Sequence, residues 1–389
     1  MANIFDYLFW RGDLDFNTSH FNPVDNIIFS QLAYLTLDNI VPGLDDNDGI
    51  CIDLAIRQYN EKLNGSEGIQ LTSFFKDDPK LINALAKSRR FGKCFLFGYV
   101  NHIDTNRETQ FAAISIHIDS AQKGFAGREE NNNYIIYRGT DSSIIGWKEN
   151  FNMSFKDAIP AQLEAVNYLE NMALKIKGPL HLCGHSKGGN LAIYAAANCS
   201  KKVQSRIVEI FSNDAPGFHK NIISSEGFNA IKDRIRSYVP QESIIGMVLE
   251  HGYDNIIIKS SQNGLMQHDL YSWEVTHNDL VHVEKLAISS KYINDTLREW
   301  LEHLDNTGKE QFIEAMYHVL SSADIKSLYD LEVSWFPSAC RIIKSLSNID
   351  APTQKLIRKI FAELLRSAGK NIDTLLNNED NRINNLGKK

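Results

Sequence analysis

The stretch LHLCGHSKGGNLAIYAAAN, residues 180–198, decides the fold class of this chain. Residues 180–183 form an apolar run typical of a buried strand, and residues 190–198 form an alanine-rich run typical of a helix. Between them, Gly184-His185-Ser186-Lys187-Gly188 matches the Gly-x-Ser-x-Gly pattern of a nucleophile elbow. Five residues can match by chance, so the assignment depends on the strand before the motif and the helix after it.

An elbow of this kind would expose the hydroxyl of Ser186 on a sharp turn at the carboxyl edge of a sheet. The flanking glycines fit there because a β-carbon would collide with the adjacent strand and helix. The amino end of the helix favours negative charge, and the backbone N–H of Lys187 is the first expected donor to an oxyanion. The alternative is an ordinary glycine-rich helix start in which Ser186 caps the helix.

Strands and helices alternate around this motif. Pro160 opens a helix, and strands are predicted at residues 113–118, 134–137, 207–211, 234–239 and 255–259. Such alternation predicts an α/β fold with a mostly parallel central sheet flanked by helices.

The two ends of the chain have different patterns. The first hundred residues are mainly helical in pattern, including residues 23–32 and 81–87. Residues 291–376 predict a C-terminal helical region, and the polar residues 377–389 predict a disordered tail. We therefore expect one domain over residues 1–290, followed by that helical region.

A second segment supports the elbow. Tyr137-Arg138-Gly139-Thr140 directly follows the predicted strand at residues 134–137. A loop there can bring the amide of Thr140 opposite that of Lys187 and complete an oxyanion hole. The apolar residues of the following polar loop are typical of a lid that contacts an acyl chain; they are Ile144, Ile145 and Trp147.

These two segments resemble a known family. Residues 137–151 resemble the oxyanion and lid segment of class 3 lipases, and residues 184–192 resemble their Gly-His-Ser-Leu-Gly-Gly elbow. The chain resembles more closely a bacterial branch of that superfamily, usually described as a domain of unknown function, which has an early Trp-Arg-Gly-Asp and a later Gln-His-Asp near a Trp. The resemblance covers roughly residues 1–290. It implies an α/β-hydrolase fold, an acyl-ester substrate and no cofactor.

One residue departs from the family pattern. Lys187 stands where class 3 lipases usually have leucine. A cation beside the nucleophile makes a purely lipid substrate less expected. With the basic pair Lys201-Lys202, it also keeps open a thioesterase or acyltransferase that acts on a carrier-bound acyl group.

The catalytic partners of the serine should follow it in the order acid, then histidine, each after a later strand. We favour His268, which follows the last predicted strand and resembles the histidine loop of the family, with Trp273 nearby. The other candidates are His251 and two histidines in a segment predicted to be helical, His277 and His282.

Two carboxylates compete for the role of the acid. Asp214 follows a buried strand and is our first choice, although it could instead cap its own turn. Glu242 follows the next strand, at the position where class 3 lipases have their acid, and could instead be surface charge. Asp269 is too close to His268 in sequence to be expected as its partner.

Composition restricts the remaining possibilities. The net charge of −7 argues against nucleic acid as a main partner. Five widely spaced cysteines and no recognisable secretion signal favour the cytoplasm. No apolar run is long enough to span a bilayer. The expected function is therefore cleavage of a small-molecule or lipid acyl ester by a serine hydrolase, with a catalytically silent binding protein as the other alternative. Oligomeric state is not fixed by the sequence.

Overall fold

The computed structural model describes residues 1–46, 48–65, 75–104, 109–118, 132–140 and 156–287, with isolated positions at 149, 152–153, 290, 295 and 307–308. The chain divides into two compact units, residues 1–141 with 157–285 and residues 142–156 with 286–389. The description below concerns the first unit. Apart from positions 295 and 307–308, the predicted helices of residues 291–376 and the tail 377–389 lie outside the described residues, and the boundary at residue 290 stays a prediction.

The first unit is built on an eight-stranded sheet whose strands lie side by side in chain order. The first four strands pair antiparallel, and the fourth to the eighth pair parallel. The prediction of an α/β chain with a mostly parallel sheet is confirmed, while the two antiparallel strands Ile50–Cys51 and Phe95–Asp104 were not predicted. The strands are β1 (Ile50–Cys51), β2 (Phe95–Asp104), β3 (Thr109–Ile118), β4 (Asn132–Tyr137), β5 (Leu180–His185), β6 (Ile207–Asn213), β7 (Ile235–Pro240) and β8 (Asn255–Ile258).

Helices flank both faces of the sheet. Alternate residues of a strand point to opposite faces. On β4, Tyr134 packs against Phe29 of α2, whereas the hydroxyl of Tyr137 donates to the carbonyl of Ala165 in α5. The helices are α1 (Ile4–Arg11), α2 (Pro23–Leu32), α3 (Ile52–Gly65), α4 (Asp78–Lys87), α5 (Pro160–Lys175), α6 (Lys187–Asn198), α7 (Lys201–Gln204), α8 (Lys220–Ile223) and α9 (Glu226–Ile231).

The central strands are buried on both sides. In β4, residues 133–137 are all buried, and in β5 every residue except His181 is buried. Near-continuous apolar runs are expected where a parallel strand is covered on both faces. The motif at residues 184–188 therefore begins on a central strand, and the packing on both faces of that strand holds the motif in position.

Residues 273–287 are not helical, so that prediction for His277 and His282 was wrong. Residues 281–283 pair antiparallel beside β8, with hydrogen bonds from Lys259 N to Val281 O (2.8 Å) and from Val283 N to Ile257 O (2.9 Å). Residues 276–279 form a turn closed by Thr276 N and Asp279 O. Backbone pairing with the edge of the sheet outweighs local helical pattern here.

The amino-terminal helices are attached to the rest of the unit through a buried ion pair. Nε and Nη2 of Arg90 donate hydrogen bonds to the carboxylate of Asp25 on α2, at 2.8 and 2.5 Å. Neither side chain is exposed. Tyr7 of α1 donates to the same carboxylate at 2.8 Å. Because a buried charge is tolerated only with such partners, each member depends on the others.

Replacing Arg90 with methionine should destabilise the protein by about 3–5 kcal/mol, because the carboxylate of Asp25 would stay buried without its cation. Urea unfolding measures the change. Arg89→Met is the matched control, since the neighbouring Arg89 is largely exposed where it contacts Asp15. This control should unfold like the wild type. Equal midpoints for both variants would contradict the prediction.

Candidate active site

The candidate residues meet at one edge of the sheet because each follows the carboxyl end of a parallel strand. Ser186 follows β5, Asp214 follows β6, Glu242 lies after β7, and His268 lies on the segment after β8. Carboxyl ends of parallel strands face the same edge, where α/β proteins bind ligands.

Ser186 occupies a strained turn. Its backbone lies at φ 57° and ψ −131°, in the left-handed half of conformational space that residues other than glycine rarely adopt. Its amide bonds Asn213 O at 2.8 Å, which joins the turn to the end of β6. The side chain makes no cap hydrogen bond to α6, so the alternative of a helix-capping serine was wrong.

Glycines permit the close approach around this turn. A β-carbon on Gly188 would overlap the backbone carbonyl of Tyr137 at the end of β4, and one on Gly184 would overlap Gly188. A β-carbon on Gly139 would lie 2.6 Å from His185 O and 3.1 Å from the β-carbon of Ser186. The loop after β4 therefore passes directly against the serine.

Asp214, rather than Glu242, contacts the favoured histidine. Its Oδ2 lies 2.6 Å from Nδ1 of His268, and its Oδ1 accepts from the hydroxyl of Ser243 at 2.5 Å. The carboxylate is buried, whereas His268 is partly exposed. A carboxylate can only accept a hydrogen bond, so Nδ1 carries the shared proton, and in the neutral form of the ring Nε2 is the acceptor. Asp214 does not serve as the cap of its own turn.

The other acidic candidates have structural contacts. Glu242 Oε2 accepts from the amide of Gly264 at 2.7 Å, and the Glu242 amide donates to the side chain of Gln267 at 2.9 Å. Both contacts hold the segment that carries His268. Asp269 accepts from the Tyr271 amide at 3.0 Å, and burial is the main cause that raises the pKa of its carboxyl to about 6.

The competing histidines have other partners. His251 contacts the carbonyl of Ala215 at 3.4 Å, and burial lowers its pKa. His277 stacks on Trp10, and His282 contacts Asp279 at 3.5 Å. Of the four candidates, His268 is the one whose ring is hydrogen-bonded to Asp214.

The two expected oxyanion donors lie on the segments that meet at the serine. Lys187 is the first residue of α6, where backbone N–H groups point out of the helix toward its amino end. Thr140 follows Gly139, where an added β-carbon would lie 3.1 Å from that of Ser186. The predicted lid residues Ile144, Ile145 and Trp147 lie outside the described residues.

Comparison with known families adds an independent finding. A family model described as Mbeg1-like matches residues 85–318. The chain belongs to the Mbeg1-like family. This family is associated with lipase-like proteins, and the matched stretch contains the elbow, Asp214, Glu242 and His268. No curated protein matches the chain significantly.

The sequence suggested that Lys187 places a cation beside Ser186, but its side chain in this Mbeg1-like chain points elsewhere. It is buried, and its Nζ donates to the backbone carbonyl of Gln110 on β3 at 2.7 Å. It therefore does not present an exposed cation to a ligand. By bonding β3, it ties the start of α6 across the end of the sheet.

Sequence reasoning missed three residues at this Mbeg1-like site. Ser243 bonds Asp214, His185 contacts the backbone of His268, and Tyr34 contacts the ring of His185. His185 occupies a variable position of the elbow motif, and Ser243 adjoins Glu242, so both were close to residues already considered. No spacing rule points to Tyr34, which precedes His185 by 151 residues.

The described residues contain no group of three or more histidine, cysteine or acidic side chains that could hold a metal ion. Within the same part of the chain, no helix combines the length and apolar character needed to cross a membrane.

Replacing Gly188 with alanine should destabilise the Mbeg1-like chain by about 1–3 kcal/mol, because the new methyl group would meet a backbone carbonyl that has no freedom to move aside. Thermal unfolding tests this. Gly43→Ala is the control, since its β-carbon would lie 3.8 Å from the nearest atom. A Gly188 variant as stable as the Gly43 variant would refute the steric requirement.

Proposed function

We propose that this protein is a serine hydrolase of the α/β-hydrolase fold that cleaves carboxylic esters of the lipase or esterase type. Ser186 is the nucleophile, His268 the general base and Asp214 the acid. The observation that carries the proposal is the 2.6 Å contact between His268 Nδ1 and Asp214 Oδ2, beside a serine at φ 57°. A strained serine turn between a strand and a helix, with a histidine–carboxylate pair from later loops, is the arrangement that acyl transfer needs.

The reaction follows from these contacts. Nε2 of His268 accepts the proton of Ser186 as Oγ attacks the ester carbonyl. The carbonyl oxygen becomes an oxyanion that accepts hydrogen bonds from the amides of Lys187 and Thr140. The bond to the alcohol then breaks, and His268 returns its proton to the leaving oxygen. Water repeats the sequence on the acyl-enzyme, which releases the carboxylic acid and restores Ser186.

Asp214 has an electrostatic and an orienting role. It fixes the tautomer of His268 and stabilises the imidazolium that forms during each step. The bond from Ser243 and the burial of the carboxylate hold it in one orientation. Glu242 acts at a distance, through its bond to Gly264.

An ester substrate fits better than a carrier-bound thioester. The basic pair Lys201-Lys202 follows the carboxyl end of α6, and Ser186 precedes its amino end. A helix of 12 residues is roughly 18 Å long. Lys201 is also paired with Glu226 at 2.7 Å. The basic pair therefore does not adjoin the nucleophile, and we propose Ile144, Ile145 and Trp147 as contacts for the acyl chain.

Cellular location is part of the proposal. The four cysteines in the described part of the chain, Cys51, Cys94, Cys183 and Cys199, are free thiols. Free thiols are typical of a reducing compartment. This supports the cytoplasm.

Wild-type protein should react with a fluorophosphonate probe and hydrolyse p-nitrophenyl esters, and Ser186→Ala should do neither. Mass spectrometry of the labelled peptide locates the adduct. No labelling of the folded wild type would favour a catalytically silent binding protein. Faster turnover of acyl-thioesters than of oxygen esters with the same acyl group would favour the thioesterase.

The identity of the acid can be tested with two amide substitutions. Asp214→Asn should lower kcat by roughly 10⁴-fold, because an amide no longer stabilises the imidazolium or selects its tautomer. Glu242→Gln is the control and should keep most activity, since its amide oxygen still accepts from Gly264. A larger loss in the Glu242 variant would reverse the assignment.

A further inference from the structure

The imidazole of His185 is buried between two polar partners that the proposed reaction does not use. Its Nε2 lies 2.8 Å from the backbone carbonyl of His268, and its Nδ1 lies 2.9 Å from the hydroxyl of Tyr34. Its ring centre lies 4.4 Å from that of His268. One side chain thus contacts both the backbone and the ring of the proposed general base.

These partners determine the tautomer of His185. A carbonyl oxygen only accepts hydrogen bonds, so Nε2 must carry a proton and donate to His268 O. Burial is the main cause that holds the pKa of His185 well below its usual value, and the nearby His268 lowers it further. The ring is therefore neutral, and Nδ1 has a lone pair that accepts the hydroxyl proton of Tyr34.

A neutral ring suits this position. His268 must become an imidazolium in each acyl-transfer step. A second cation with its ring centre 4.4 Å away, on the buried side chain of His185, would oppose that charge. Neutral His185 can hold the backbone of His268 without this cost.

We propose that His185 is a positioning residue, which acts through a neutral Nε2–H tautomer, locked by Tyr34, to fix the main chain of His268 and so orient its imidazole toward Ser186. This role rests on the proposed function, because it concerns the general base of that reaction. The variable position of the elbow motif before Ser186 would then have a specific role, which is to position the general base. It also makes Tyr34, just after α2, part of the machinery that orients the base.

Two substitutions separate the contributions of the two ring nitrogens of His185. The amide nitrogen of glutamine reaches the position of Nε2, so His185→Gln can still donate to His268 O. The amide of asparagine reaches only the position of Nδ1, so His185→Asn can accept from Tyr34 and leaves His268 O without its donor. We expect roughly 10²-fold lower kcat in His185→Asn with little change in KM, and kcat within a few-fold of wild type in His185→Gln.

Tyr34 is tested by a double-mutant cycle. Tyr34→Phe should lower kcat in the wild type, because His185 can then adopt the tautomer whose Nε2 lone pair repels the His268 carbonyl. The same change should cost little in the His185→Gln background, since glutamine has no imidazole tautomer to select. An equal loss in both backgrounds would show that Tyr34 acts by packing alone, and would overturn its part in the proposal.

A spectroscopic readout keeps this test independent of turnover. The Nδ1 proton of His268 should give a low-field proton NMR signal, assigned by its loss in Asp214→Asn. We expect this signal to be retained in His185→Gln and shifted or lost in His185→Asn at similar thermal stability. An unchanged signal in His185→Asn, or equal loss in both variants, would overturn the proposal. Wild type that shows the signal but never reacts with fluorophosphonate would instead count against the proposed function.

Discussion

The backbone of Ser186 is the constraint on which the rest of the site depends. Holding a non-glycine residue in the left-handed region costs on the order of 1–3 kcal/mol, so the surrounding structure must supply that energy. It does so by bringing three backbones together: the end of β4, the end of β5 and the first turn of α6, with Gly184 and Gly188 at the contact points. The hydrogen bond from Ser186 N to Asn213 O adds the end of β6. A residue held by four segments has little freedom to relax.

Hydrogen bonds from polar side chains of the amino-terminal helix α2 also help to hold the Ser186 turn in place. Asn213 bonds Asn26 and Ser30 of α2 and the carbonyl of Gly184, at 2.8 to 3.1 Å. Buried amides are tolerated only when their bonding capacity is used, as it is here. Helix α2 is therefore joined to the elbow by side-chain hydrogen bonds as well as by apolar packing. The family match begins at residue 85, yet residues before that point hold the site in place.

Local pattern predicted much of this architecture. The alternation of apolar runs located β3 to β8 to within a few residues, because strands buried on both faces have a strong and short signal. The elbow was recognisable since its glycines and serine are contiguous. The preference for Asp214 came from its position after a buried strand, and that for His268 from its position after the last predicted strand and from the family resemblance; the contact between them agrees with both. Their catalytic roles stay predictions until they are tested chemically.

Other features depend on contacts that no local pattern encodes. The direction of the Lys187 side chain is set by Gln110, which lies 77 residues earlier on an antiparallel strand. The pairing of residues 281–283 with β8 replaced a predicted helix, because open backbone groups at a sheet edge offer partners that a short amphipathic pattern cannot match. The Tyr34–His185–His268 chain requires three distant segments to meet. Such contacts follow from the assembled fold and not from spacing along the sequence.

The consecutive order of the strands has a consequence for biosynthesis. Each strand pairs with its predecessor in the chain, so the sheet can extend by one strand at a time as the polypeptide leaves the ribosome. In that sequence of events the serine turn can form once β6 and α6 are present. The segment with His268 emerges only after β8. A nascent chain would therefore carry its proposed nucleophile without the proposed base, and the proposed hydrolytic site would be completed late, when most of the described sheet is already in place.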